Sequence, residues 1–151
     1  MTTPAWDLYL RTIVDIELSR DDRLRICPAS RGDVGTWPDV FSAPMFILTA
    51  WNPGADPLPI EVNRERQRSL ESELIVQNAT TWRATGCDPE SDYFEEGVAI
   101  HGLDEGAVIR AARLYDQGAI FVWTPSAWAT VSCEDGSRVE FGWRIEVHRK
   151  E

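Results

Sequence analysis

Phe46-Ile-Leu-Thr-Ala-Trp-Asn-Pro-Gly54 is the stretch on which the fold turns. From Met45 to Trp51 every residue but Thr49 is apolar, and so short a run suits a central strand covered on both faces. Asn52-Pro-Gly54 ends it, because proline lacks the N–H and glycine permits tight turning. Upstream, Thr12–Leu18 alternates apart from Ile13, Arg20-Asp-Asp22 signals a turn, and Arg23–Cys27 alternates again. That pattern predicts a hairpin. Residues 28–44, with three prolines and two glycines, read as a loop.

Downstream, Asn63 is placed to cap a helix running to about Gln77, with Leu70, Leu74 and Gln67 on one face. Thr80–Thr85 reads as a strand, Gly86–Glu96 as an acidic loop and Gly97–His101 as a further strand. Asp104 caps the most regular helix, with Val108, Ala111, Ala112 and Tyr115 at i, i+3, i+4 and i+7, and Gly118 sits where a C′ glycine belongs. Ala119–Trp123 is an apolar strand. Asp135-Gly136 lies between the alternating runs Ala127–Cys133 and Arg138–Val147, which predicts a last hairpin.

From residue 45 to 124 the order is strand, helix, strand, strand, helix, strand. This predicts one α+β domain over residues 1–151, with a split βαβ, ferredoxin-like antiparallel sheet, two helices, and terminal hairpins extending or crossing it. A mixed sheet with another strand order is the alternative. Tracing chain direction through that fold brings Trp51, Asn52, Asn63, Arg64 or Arg66, Glu95, Glu96 and Gln117 to one end. A helix start with arginines beside it favours an anionic or polar ligand group. Glu96 would serve as hydrogen-bond acceptor or base, and Trp51 as an apolar wall. Each residue also has a plain structural use: Asn52 in its turn, Asn63 as a cap, Gln117 as a helix end, Glu95 and Glu96 in solvent.

The 151 residues are 43% hydrophobic and 26% charged, with a net charge of −10. That charge argues against nucleic acid and anionic membranes as partners. Three separated cysteines, Cys27, Cys87 and Cys133, form neither a disulfide framework nor a CxxC motif. With no signal-like start and no 18-residue apolar stretch, a cytoplasmic location is expected. His101 and His148 stand in no metal-ligand spacing, and no phosphate- or dinucleotide-binding glycine motif occurs, so neither a metal nor a cofactor is expected.

The F-I-L-T-A-W-N-P block, Glu61 and Asn63 opening a helix with Leu70 and Leu74, a Glu before the next strand, and Leu114-Tyr-Asp-Gln-Gly-Ala-Ile120 together resemble an uncharacterised bacterial family, domain-of-unknown-function family 3293. The resemblance runs over roughly residues 9 to 124. It implies that Asn52, Asn63 and Gln117 are fixed features, and it carries no activity. Three functions remain open from the residues. One is a small module binding a small molecule or peptide at the Asn52/Asn63/Gln117 end, where Trp51, Arg66 and Glu96 also lie. Another is an enzyme with Glu96 as acid/base and Asn52 orienting the substrate. The third is a protein–protein module presenting Trp123, Trp128 and Trp143.

Overall fold

The structure, a computed structural model, describes residues 4–149. Met1, Thr2 and Thr3, read above for a leader, lie outside the described residues. The chain runs through α1 (Pro4–Arg11), β1 (Ile13–Glu17), β2 (Asp22–Ala29), β3 (Met45–Leu48), α2 (Ile60–Val76), β4 (Thr80–Cys87), β5 (Phe94–His101), α3 (Glu105–Leu114), β6 (Ala119–Thr124), β7 (Ala127–Ser132) and β8 (Arg138–Arg149).

The eight strands form a closed antiparallel barrel in the order β1-β2-β8-β7-β6-β3-β5-β4, and β4 pairs back onto β1. The open ferredoxin-like sheet expected from the element order is therefore corrected. The terminal hairpins do extend the sheet, β1 from β4 and β7 from β6, but β8 then pairs with β2 and closes it. Closure gives each strand two hydrogen-bonded neighbours and leaves no open edge.

Strand alternation divides the core in two. Phe46, Leu48, Val98, Ile100, Ile120, Val122, Ala129 and Val131 face outward, under Leu70 and Leu74 of α2 and Val108, Ala111 and Ala112 of α3. Val14, Ile16, Ile26, Met45, Ile47, Ala84, Ala99, Phe121, Trp123, Trp128 and Trp143 fill the interior. This is why Met45–Leu48 is buried throughout: one of its faces meets the helices and the other the barrel lumen.

The loop before β3 plugs one end. Trp37 lies 4.3 Å from Trp123 between ring centroids, Phe41 5.0 Å from Trp82, and Trp123 5.3 Å from Trp143. Trp123, Trp128 and Trp143 are fully buried, so the Trp-rich surface expected as a protein interface is the inside of the barrel.

One helix stands where no element was expected, and two local features differ from expectation. Pro4–Arg11 is helical, with proline at the first helical position, where its missing N–H costs nothing. Asp116, not Gly118, takes the left-handed conformation after α3, at φ 56°. The β4–β5 hairpin is longer than expected, so Glu95 and Glu96 lie in a strand, not in the acidic loop.

Gly142 marks the tightest backbone approach. A Cβ there would meet the Asp33 carbonyl oxygen at 2.0 Å and that of Ser30 at 2.4 Å, because loop 30–35 packs directly on β8. Around Gly118 nothing lies within 4 Å. Gly142→Ala should lower unfolding free energy by about 2 kcal/mol or more, and Gly118→Ala should stay within about 0.5 kcal/mol of wild type. Thermal melts followed by circular dichroism distinguish the two.

Candidate functional site

β3 makes its last ladder pair at Leu48, yet the chain stays buried through Ala50 and Trp51. Backbone groups that leave a sheet under cover need new partners. Side chains of α2 and the α3–β6 turn supply them. Gln67 Oε1 accepts from Ala50 N at 2.9 Å, and Asn63 Oδ1 accepts from Asn52 N at 2.9 Å. Arg66 Nε donates to Ala50 O at 2.9 Å, and Gln117 Nε2 donates to Trp51 O at 2.9 Å. Asn63, Gln67, Leu70 and Leu74 are the buried stripe of α2. Its apolar half lies on the barrel wall and its polar half on the exit of β3.

Asn63 is therefore not a cap. The helix begins at Ile60 after Pro59, and Asn63, 2% exposed, reaches back to Asn52. Asn52 is left-handed, at φ 49°, a conformation that asparagine tolerates well. Its Oδ1 accepts from Asn63 Nδ2 at 2.8 Å and from Leu58 N at 3.1 Å. Its Nδ2 donates to the Tyr93 hydroxyl at 2.8 Å, and that hydroxyl donates to the Glu95 carboxylate.

The chain of bonds Asn63–Asn52–Tyr93–Glu95 ends at a cavity. About 390 Å³ opens at the barrel end where β3 leaves, lined by Val14, Ile47, Ala84 and Phe121 below and by Thr12, Thr49, Asn52, Tyr93, Glu95 and Gln117 around the rim. Leu8 and Tyr9 of α1 line it as well. Tyr9 packs edge-on to Phe121 at 6.2 Å between centroids. A bidentate pair, Arg11 Nε and Nη2 to Asp88 at 3.0 and 3.1 Å, ties the end of α1 to the β4–β5 turn.

Burial raises the Glu95 carboxyl above its ordinary 4.5, although the Tyr93 and Asn52 hydrogen bonds pull the other way. Burial, with Glu95 nearby, pushes the Tyr9 phenol up to about 12. Burial likewise raises the Cys87 thiol. The Arg11 guanidinium and the Glu90 N–H hold the Asp88 carboxyl well below the usual range.

The residues singled out in the sequence sort into three sets. Asn52 and Gln117 line the cavity, while Asn63 stands behind Asn52. Arg66 holds Ala50 O and Tyr115 O, and Trp51 packs on Phe94 at 5.5 Å; neither lines the cavity. Glu96 turns away, with its carboxylate on Arg64 at 2.8 Å. Its neighbour Glu95 takes the interior position, since β5 alternates and Ala99 also faces in. Tyr9 and Tyr93 carried no sequence signal toward this site. Glu95 did carry one: its parity with Ala99 along β5.

Residues 48–120 match the model of a family described as a protein of unknown function (DUF3293). Over that stretch the chain is similar to this family. The match is shorter than the resemblance read from the residues. It takes in α2, β4, β5 and α3, and with them Asn52, Asn63, Tyr93, Glu95 and Gln117. α1, β1, β2, β7 and β8 lie outside it. No curated protein and no solved structure matches the chain. Among the described residues, no helix is long and apolar enough to cross a membrane, and no group of three His, Cys, Asp or Glu side chains is arranged to hold a metal.

Asn63→Ala strips both Asn52 N–H and Asn52 Oδ1 of a partner and should cost about 1–3 kcal/mol in urea denaturation. Glu95 gives a signed pH effect. Its folded pKa is raised, so the folded state holds the proton more tightly than the unfolded chain. Stability should therefore fall as pH rises from about 4.5 through the raised value. Glu95→Gln should remove that slope and be the more stable protein at neutral pH. Denaturation midpoints of both proteins across pH 4 to 8 check the sign.

Proposed function

We propose that this protein is a small-molecule-binding module whose ligand enters the mouth of the barrel, between α1, the β4–β5 turn and the exit of β3. The observation that carries this reading is the cavity itself: about 390 Å³, an apolar floor, and a few convergent polar groups at the rim. A bracing network that served stability alone would not need to leave that volume at the end of the lumen.

The arginines weigh on the ligand's charge. Arg11 holds Asp88, Arg64 holds Glu96, and Arg66 holds two carbonyls. Among the described residues no Lys, Arg or His lines the cavity, while Asp88 and Glu95 do. An anionic ligand group is thereby disfavoured, and a neutral or cationic one favoured. Glu96 stands outside the cavity on Arg64, which removes the geometric basis for an enzyme using it as acid/base.

Ala84 sits on the cavity lining as part of the interior core, so it offers a way to fill the site without touching the hydrogen-bond chain. In a fragment screen by nuclear magnetic resonance, hits should shift the amides of Thr12, Gly86 and Glu95. Ala84→Met should abolish those shifts while the melting temperature stays within a few degrees of wild type. Shifts that survive in Ala84→Met, or a screen with no hit at those amides, would place any ligand elsewhere.

A further inference from the structure

Resting on the binding reading above, we infer that the ligand of the barrel mouth is a small amphipathic amine, its apolar body on Val14, Ile47, Ala84 and Phe121 and its ammonium group against the Glu95 carboxylate beside Tyr93. Glu95 lines a mostly apolar cavity, and among the described residues no cation pairs with it. Its hydrogen-bond partners, the Tyr93 hydroxyl and the Asn52 amide, are both neutral. A half-buried carboxylate against an apolar lining is favoured by a nearby proton or cation.

The groups facing the site from each neighbouring element do not provide that cation. From α1 comes the Tyr9 phenol; from β4, the Cys87 thiol; from the β4–β5 turn, Asp88 and Tyr93. Arg11, the guanidinium on α1, is taken by Asp88 and Glu90. A ligand ammonium fills the vacant role. It has hydrogen-bond donors for Glu95 and for the Thr49 and Tyr93 oxygens, and its apolar part matches the floor. A carboxylate ligand would instead meet Glu95 and Asp88 with like charge.

The test uses the full chain and three matched probe sets: benzylamine, 2-phenylethylamine and cyclohexylamine, each with its alcohol and carboxylate counterpart. Binding is followed by amide shifts at Thr12, Gly86 and Glu95. At least one amine should bind about tenfold or more tightly than its alcohol, and its carboxylate not at all, as befits a charge-assisted bond gained or lost. Glu95→Gln should bring the amine down to the level of the alcohol and leave the alcohol unchanged. Competition of amine against alcohol on the wild-type protein gives the same ranking without any variant. If alcohols or carboxylates bind at those amides as tightly as the amines, the amine assignment is wrong and the pocket stands. If no probe of any charge shifts those amides, the pocket reading falls with it.

Discussion

The exit of β3 is the constraint on which this end of the molecule depends. A strand that stops pairing at Leu48 while its chain stays buried leaves amide and carbonyl groups that water cannot reach. Gln67, Asn63, Arg66 and Gln117 replace the missing ladder with side-chain bonds to Ala50, Trp51 and Asn52. The same bonds fix α2 against the barrel and the α3–β6 turn against β3. Removing one partner would expose a buried group to its full desolvation cost, which exceeds the net worth of an ordinary hydrogen bond.

The same bonds explain why residues singled out in the sequence meet at this end. Asn52, Asn63 and Gln117 do converge there, because the directions of β3, β4, β5 and the two following helices place them so whether or not the sheet closes. Their side chains, however, mostly serve the backbone. Helix propensity made Asn63 look like a cap, and Pro59 shows why it is not: the helix starts one turn earlier. Arg66 looked like a ligand clamp because its charge is visible in sequence and its carbonyl partners are not.

Closure was not readable, for a different reason. Alternation and turn signals set each hairpin locally, but β1–β4 and β2–β8 pair across long sequence separations with no turn to announce them. Seven tryptophans were a hint in hindsight, since a wide lumen needs large side chains to fill it, and Trp123, Trp128 and Trp143 do so. Glu95 was within reach of the sequence. Once Phe94–His101 is read as one strand, Ala99 and Glu95 share a face and Glu96 takes the other. Reading Glu95 and Glu96 as loop residues hid that parity.

A single chain of bonds runs from the frame to the cavity. Asn63 belongs to the frame, Glu95 to the cavity, and Asn52 and Tyr93 connect them. Tyr93 donates a hydrogen bond to Glu95 and accepts one from Asn52, so its hydroxyl is oriented from both sides. Asn63 and Leu58 hold the side chain of Asn52 in its left-handed turn. The position of the cavity carboxylate is thus set by the groups that satisfy the end of β3. Polar atoms held this way are fixed by the fold itself, and on the proposed binding reading such preorganisation would lower the entropy lost on association.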